Sequence, residues 1–288
     1  MFELKIGKTG VIDAEDSTEI EKGNKCTFSF LKRLLDGISD IVKKIEIKAT
    51  PEEGVQIQVI DNLQVSILNV FLKKTAFDNF RCDRRISLGV DLVPFVKILR
   101  NIPVTSSSHM LLSANDEATK MQIVWEEEGK KHMYSINLLT IANEEYEMDD
   151  KRYSATLCLP TQDFIRAIRA LGTFGEVLRI HATPERGFVF TQESEIGNSE
   201  VNYMQSSGIN ENSETKDGKE EDRRIQVEVQ EEVEISLPYR FIALFGKFSL
   251  LGERITIGME RGSPLFITVS FPFGYLKYYV APRNENEE

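Results

Sequence analysis

A chain of 288 residues with 41% hydrophobic and 28% charged residues is long enough for one large domain or two of about 140 residues, each with a core of its own. No apolar run approaches the roughly 18 residues of a membrane span, Met1 to Gly10 is too charged for a signal peptide, and Cys26, Cys82 and Cys158 form an odd, widely spaced set without CxxC. The expectation is a soluble, unsecreted protein with reduced thiols, without a disulfide framework or a zinc site. Net charge is −11, and its location matters more than its sum. Residues 11 to 25 carry −3, residues 206 to 234 carry −6 and residues 283 to 288 carry −2, which together account for all of it. A fourth acidic stretch, Glu144 to Arg152, carries −3, so the remaining body is +3 and has cations to spare for a basic surface.

Phe2 to Ile6 alternates like a strand, and the polar segment from about Gly7 to Lys25 reads as a solvated loop. Phe28 to Val42 has helical spacing, with Leu31, Leu34, Leu35, Ile38 and Val42 on one stripe and Lys32 and Arg33 off it. Strand-like runs follow at Ile45 to Ala49, Val55 to Ile60 and Val65 to Leu72. A charged loop, Arg81 to Arg85, then feeds a short strand and a second helix that ends near Pro103. There Leu92, Phe95, Val96 and Leu99 make the apolar face, Lys97 and Arg100 fall off it, Asp91 is the N-cap and Pro94 sits in the first turn. Strands at Met110 to Ala114, Thr119 to Glu126 and Lys131 to Leu139 complete the first half.

From Asn143 to Arg152 periodicity is lost, which marks a connector, and the order then repeats. Tyr153 to Leu159 is a strand and Pro160 to Leu171 a helix with Phe164, Ala167, Ile168 and Leu171 inward and Arg166 and Arg169 outward. Strands follow at Val177 to Ala182, Phe188 to Gln192 and Glu200 to Gln205, and Ser206 to Arg224 has the composition of disorder. After strands Ile225 to Val229 and Val233 to Leu237, a fourth helix, Pro238 to Leu250, buries Phe241, Leu244, Phe245 and Phe248, while Arg240 and Lys247 share its other face. Strands Arg254 to Glu260, Leu265 to Phe271 and Leu276 to Ala281 close the chain. The fold class is α+β: two similar halves, each of antiparallel sheet covered by two helices. The domain boundaries expected are 1–142 (with the polar insert at about 7–25), a connector at 143–152, a second domain at 153–282 and an acidic tail at 283–288.

No catalytic constellation emerges, and no cofactor or metal is implied. His109, His132 and His181 lack metal-ligand spacing with one another or with cysteine. Gly7-Lys8-Thr9 resembles the end of a Walker A motif, but the earlier glycine falls at Phe2. GxSxG, HExxH and GxGxxG are all missing. What recurs is a cationic pair on the non-core face of each helix: Lys32 and Arg33, Lys97 and Arg100, Arg166 and Arg169, Arg240 and Lys247. A solvated helix face carries such residues in any case, and Asp36 and Asp40 share the outer face of the first helix. If the four helices line one surface, these cations can neutralise phosphates without reading bases.

Met1-Phe2-Glu3, FDNFRCDRRISLGVDL with KILR, PTQDFIRAIRALGTFGE and GYLKYYVAPR followed by an acidic tail occur in that order, and through them nearly the whole chain resembles the proliferating cell nuclear antigen (PCNA) family of eukaryotic sliding clamps. The resemblance implies the DNA clamp fold, assembled as a head-to-tail homotrimeric ring around double-stranded DNA. Such a ring acts independently of sequence, needs no enzyme activity of its own, and works in the nucleus in replication and repair. It implies DNA-facing roles for Lys32, Arg33, Lys97, Arg100, Arg166, Arg169, Lys247 and the near-terminal Arg283, and Arg240 joins them by its place on the fourth helix. A pocket for the PIP motif of DNA polymerase, the clamp loader and other partners would be lined by Ile60, Gln64, Val65, Ile67, Tyr146, Met148, Tyr153, Pro264, Ala281 and Pro282. Subunits would pair about Lys130 to Leu138 with Ile196 to Gln205, placing Tyr134, Ile196, Val201 and Tyr203 at the trimer interface.

The chain departs from the family pattern in several places. Gln64 replaces a common histidine, and Glu147-Met148-Asp149 stands where relatives have Gly-Ile-Pro. The insert at about 7–25 and the long 206–224 loop are unusual. Thr183-Pro184-Glu185-Arg186 stands where many members present a modified lysine. The alternatives are a subunit of a heterotrimeric checkpoint clamp, a hydrolase using the acidic clusters, and an acidic histone-binding chaperone.

Overall fold

The structure, a computed structural model, describes residues 1–6, 25–103, 109–115, 117–127, 129–141, 146, 148, 151–204 and 224–283. The insert at about 7–25, the 206–224 loop and the acidic tail expected from sequence lie almost wholly outside these residues. Two compact units are present, one of Met1–Glu147 with Phe271–Leu276 and one of Met148–Ser270 with Lys277–Glu288.

The first unit runs β1 (Phe2–Ile6), α1 (Phe28–Ile41), β2 (Lys44–Thr50), β3 (Gly54–Ile60), β4 (Ser66–Lys73), a 3₁₀ turn (Lys74–Ala76), β5 (Asn79–Cys82), β6 (Ile86–Asp91), α2 (Leu92–Asn101), β7 (His109–Ala114), β8 (Lys120–Glu127) and β9 (Lys130–Asn137). One antiparallel sheet has the order β5-β1-β7-β8-β9 and the other contains β4-β3-β2-β6. Strict alternation along β1 and β7 puts every second residue inward. Leu4 of β1, Leu31 of α1, Ile57 of β3, Phe95 of α2 and Leu112 of β7 line one apolar cavity, so both sheets and both helices share a single core. The segment Phe271–Leu276 joins this unit through Phe273, whose carbonyl accepts the Lys73 N–H at 2.9 Å and whose ring meets Phe30 of α1 at 5.0 Å.

The second unit runs β10 (Ala155–Pro160), α3 (Thr161–Leu171), β11 (Val177–Thr183), β12 (Gly187–Ser194), β13 (Gly197–Tyr203), β14 (Gln226–Val229), β15 (Val233–Pro238), α4 (Tyr239–Ser249), β16 (Arg254–Met259), β17 (Leu265–Phe271) and β18 (Gly274–Val280). Its sheets have the orders β14-β10-β16-β17-β18 and β13-β12-β11-β15. Adding nine to each strand number of the first unit reproduces both orders. The chain is therefore an α+β protein built of one antiparallel topology used twice, with α1 and α2 answered by α3 and α4.

Four local expectations are corrected. Arg81 and Cys82 belong to a strand and not to a loop: β5 pairs with β1, Phe2 opposite Cys82 and Glu3 opposite Arg81, because Cys82 turns into the core while its neighbours face out. Val42 is the C-cap of α1, with its N–H on the Ile38 carbonyl, and not part of the buried stripe. In α4 it is Ile242 that is buried, whereas Leu244 is only half-buried. Ile196 precedes β13 in a turn and is 82% exposed.

Candidate nucleic-acid interface and partner site

In the first unit α1 and α2 lie side by side. Thr27 starts α1 by accepting the Phe30 N–H at 3.2 Å, and Leu31, Leu34, Leu35 and Ile38 bury its stripe. Asp91 starts α2 by accepting the Val93 N–H at 2.9 Å. With the apolar faces committed inward, helical periodicity turns Lys32, Arg33, Lys97 and Arg100 outward. Arg33, Lys97 and Arg100 are exposed and Lys32 is half-buried. Two of these cations are already engaged. Arg100 Nε donates to Asp36 Oδ1 at 3.0 Å with Nη2 2.9 Å from the same oxygen, and Lys32 Nζ donates to the Arg100 carbonyl at 3.4 Å.

In the second unit α3 and α4 are paired in the same manner. Phe164 meets Phe245 edge-on at 5.9 Å, and the Tyr239 hydroxyl donates at 2.7 Å to the Ile168 carbonyl, which also accepts the Gly172 N–H at 3.0 Å at the end of α3. Burial pushes the Tyr239 phenol up. Arg166, Arg169, Arg240 and Lys247 are exposed. Arg166 pairs with Asp163 one turn back at 3.0 Å, and the Arg240 guanidinium lies 4.9 Å over the Phe241 ring. Arg283 is exposed, and its N–H donates to the Ser236 carbonyl at 2.8 Å, close to the start of α4. Arg169 and Lys247 occupy the last turns of their helices, where the macrodipole favours cations.

The ten expected pocket residues divide between the units. Ile60, Gln64, Val65, Ile67 and Tyr146 belong to the first, where the first four lie in or beside the turn from β3 to β4 and Tyr146 is bonded to Gln58 of β3. Buried Asp61 organises that turn: its carboxylate accepts the N–H groups of Leu63 and Val65 at 2.9 and 2.8 Å and that of Ser66 as well. Gln64 adopts a left-handed φ of 56° and is exposed, while Ile60, Val65 and Ile67 are half-buried. Leu63, which sequence reading passed over, is 61% exposed at the tip. It was also silent on Gln58, whose side chain bonds both the N–H and the carbonyl of Tyr146, because the partner lies 88 residues away. The only sequence signal was a glutamine facing out of an apolar strand.

Met148, Tyr153, Pro264, Ala281 and Pro282 belong to the second unit. Tyr153 stacks on Phe266 at 4.9 Å, and a Cβ at Gly258 would meet its ring at 2.6 Å, so the glycine makes room for the tyrosine. Ser154 beside it donates its hydroxyl to Glu260 at 2.6 Å and its N–H at 3.0 Å. These bonds hold the Glu260 carboxyl below the usual carboxylate range.

Among the strands at sheet ends, the two longest are β9 in the first unit and β13 in the second. β9 carries half-buried Tyr134 and a Met133 that is 63% exposed, and β13 carries half-buried Val201 and Tyr203. Burial, with the charge of Asp163 adding to it, pushes the Tyr203 phenol up to about 12. Among the described residues there is no group of three or more His, Cys, Asp or Glu able to hold a metal, and no helix long and apolar enough to cross a membrane.

Comparison with known proteins matches residues 24–147 to the family "Proliferating cell nuclear antigen, N-terminal domain" and residues 147–283 to "Proliferating cell nuclear antigen, C-terminal domain". A proliferating cell nuclear antigen of Chaetomium thermophilum is 28% identical over 263 residues, covering 90% of this chain and 96% of that protein.

Proposed function

This chain belongs to the proliferating cell nuclear antigen family, the DNA sliding clamps that serve replication and repair, and from that premise we propose a homotrimer closed head to tail around duplex DNA. The observation that carries the ring is that, among the described residues, the two longest strands at sheet ends, eight residues in β9 and seven in β13, lie one in each unit of the same chain. Two different edges on one subunit make a heterologous interface, which closes into a ring when the rotation per subunit allows it. Tyr134, Val201 and Tyr203 would fill the seam, with Ile196 at its end. The cations of the four helices, together with Arg283, would face the duplex and neutralise phosphates without reading bases. Topology, and not affinity, would keep such a ring on DNA.

Partners with a PIP motif, among them DNA polymerase and the clamp loader, would dock against Ile60, Val65, Ile67 and Tyr146 in the first unit. Met148, Tyr153, Pro264, Ala281 and Pro282 of the second unit are assigned to the same role. Tethering raises a partner's local concentration at the primer end, so moderate affinity and rapid exchange suffice. The chain itself would be non-enzymatic and nuclear, with ATP used by the separate loader. Light scattering tests the assembly: three times the monomer mass from the pure chain is expected, and a monomer that assembles only with two other proteins would instead make it a checkpoint-clamp subunit.

A further inference from the structure

Not all helix-face cations are equally free. Among the described residues Arg33, Lys97 and Arg169 make no ion pair, whereas Arg100 is held by Asp36 across the α1–α2 contact. The grip has a specific form. Nε and Nη2 converge on one carboxylate oxygen, Oδ1, instead of matching both oxygens as a two-pronged pair does. Both side chains remain in contact with solvent, 59% for Arg100 and 35% for Asp36, so the pair is of the weak, screened kind. A permanent staple between the helices would be better served by a buried, bidentate pair. A single-oxygen, solvated pair can be broken by a phosphate of similar strength.

We propose that Asp36 is a brake on DNA affinity: an internal anion that occupies Arg100 and competes with the duplex for it. The inference rests on the reading that the α1–α2 face meets DNA. Each cation that neutralises a phosphate releases a counterion and adds about 0.9 to the steepness of log K against log salt. A sliding ring must break every such contact to advance, so contacts beyond those needed for centring slow it. Asp36 lowers the number of phosphates Arg100 neutralises at any moment, and Lys32, shared with the Arg100 carbonyl, sits in the same cluster.

The test is binding of the full-length chain to a short linear duplex, followed by fluorescence anisotropy over a range of salt. Asp36→Asn, which keeps the shape and removes the charge, should bind severalfold more tightly at low salt. Its slope should steepen by about 0.9 for each subunit whose Arg100 gains a phosphate. Asp36→Glu should behave like the native chain. Arg100→Ala should lose less affinity than Lys97→Ala in the native background and at least as much in the Asp36→Asn background, a non-additivity that a purely structural staple would not produce. If Lys97→Ala weakens binding while Asp36→Asn leaves affinity and slope unchanged, the brake is refuted and the DNA-facing reading stands. If neither Lys97→Ala nor Arg169→Ala alters binding, the DNA-facing reading falls and the brake with it. The Arg100→Ala against Lys97→Ala comparison decides the matter even if Asp36→Asn does not fold.

Discussion

Gln58 holds Tyr146 by both of its backbone polar groups: the amide Nε2 donates to the Tyr146 carbonyl at 2.9 Å, and Oε1 accepts the Tyr146 N–H at 3.0 Å. Asn69, opposite Gln58 on β4, fixes which way the amide points by accepting its other N–H at 2.9 Å. The side chain acts as a short extra strand, and Tyr146 is left 42% exposed where a partner would meet it. Replacing Gln58 by Leu should therefore release Tyr146, weakening a PIP-motif peptide by about 1 kcal/mol, the worth of a typical hydrogen bond. Hydrogen exchange at the Tyr146 amide and calorimetric titration of the peptide check it together. Unchanged exchange would show that the clamp does not restrain the connector.

The Tyr239 hydroxyl joins α4 to the last turn of α3, and Gly172 leaves it the space to do so. Tyr239→Phe should cost about 1 kcal/mol in stability. Gly172→Ala puts a Cβ at 2.1 Å from that hydroxyl and should cost more, about 1–3 kcal/mol, through overpacking. Thermal unfolding of the two variants gives the ranking, and a silent Gly172→Ala would mean the α3–α4 contact yields freely.

Acid should weaken the second unit through Glu260. Because Ser154 holds this carboxyl below its ordinary range, the folded state favours the carboxylate more than the unfolded chain does. The resulting stability is present above the unfolded carboxylate pKa and is lost as pH falls through the lower, folded value. Ser154→Ala should thus melt below the native chain at neutral pH, with the gap narrowing in acid. A gap that is constant with pH would assign the effect to packing alone.

The three thiols should label in a fixed order. Cys26 is 2% exposed and burial pushes its thiol up to about 12, and the thiol of Cys82, 8% exposed, is also pushed up by burial. Cys158 is half-buried beside the Arg254 guanidinium, with Nη2 at 3.2 Å from the sulfur. Iodoacetamide at mildly alkaline pH, followed by mass spectrometry, should modify Cys158 in the native protein and Cys26 only after unfolding. Labelling of Cys26 under native conditions would contradict the closed core of the first unit.

Much of the fold was legible because its signals are local. The stripes Leu31, Leu34, Leu35, Ile38 and Leu92, Phe95, Val96, Leu99 follow helical spacing, and the Asp91 cap acts on the second residue after it. The duplicated order of elements was visible for the same reason. Strand β5 was hidden because the arginines of an exposed edge read as loop, and its pairing with β1 is fixed some 76 residues away in the chain. Leu244 reads as core where Ile242 is buried, since helical spacing identifies a face without resolving its margins. At the site, residue types were legible and partners were not. Sequence shows Asp36 on the outer face of α1, but not that it reaches Arg100, 64 residues on, and nothing near Gln58 announces Tyr146.

The central claim is that the chain is held on DNA by enclosure. The most direct test loads it onto duplex DNA, closes the DNA into a circle and washes at high salt, where electrostatic contacts are screened. The account predicts that the chain stays on the circle and leaves at once when the circle is cut. Loss from both forms at the same salt concentration would contradict it.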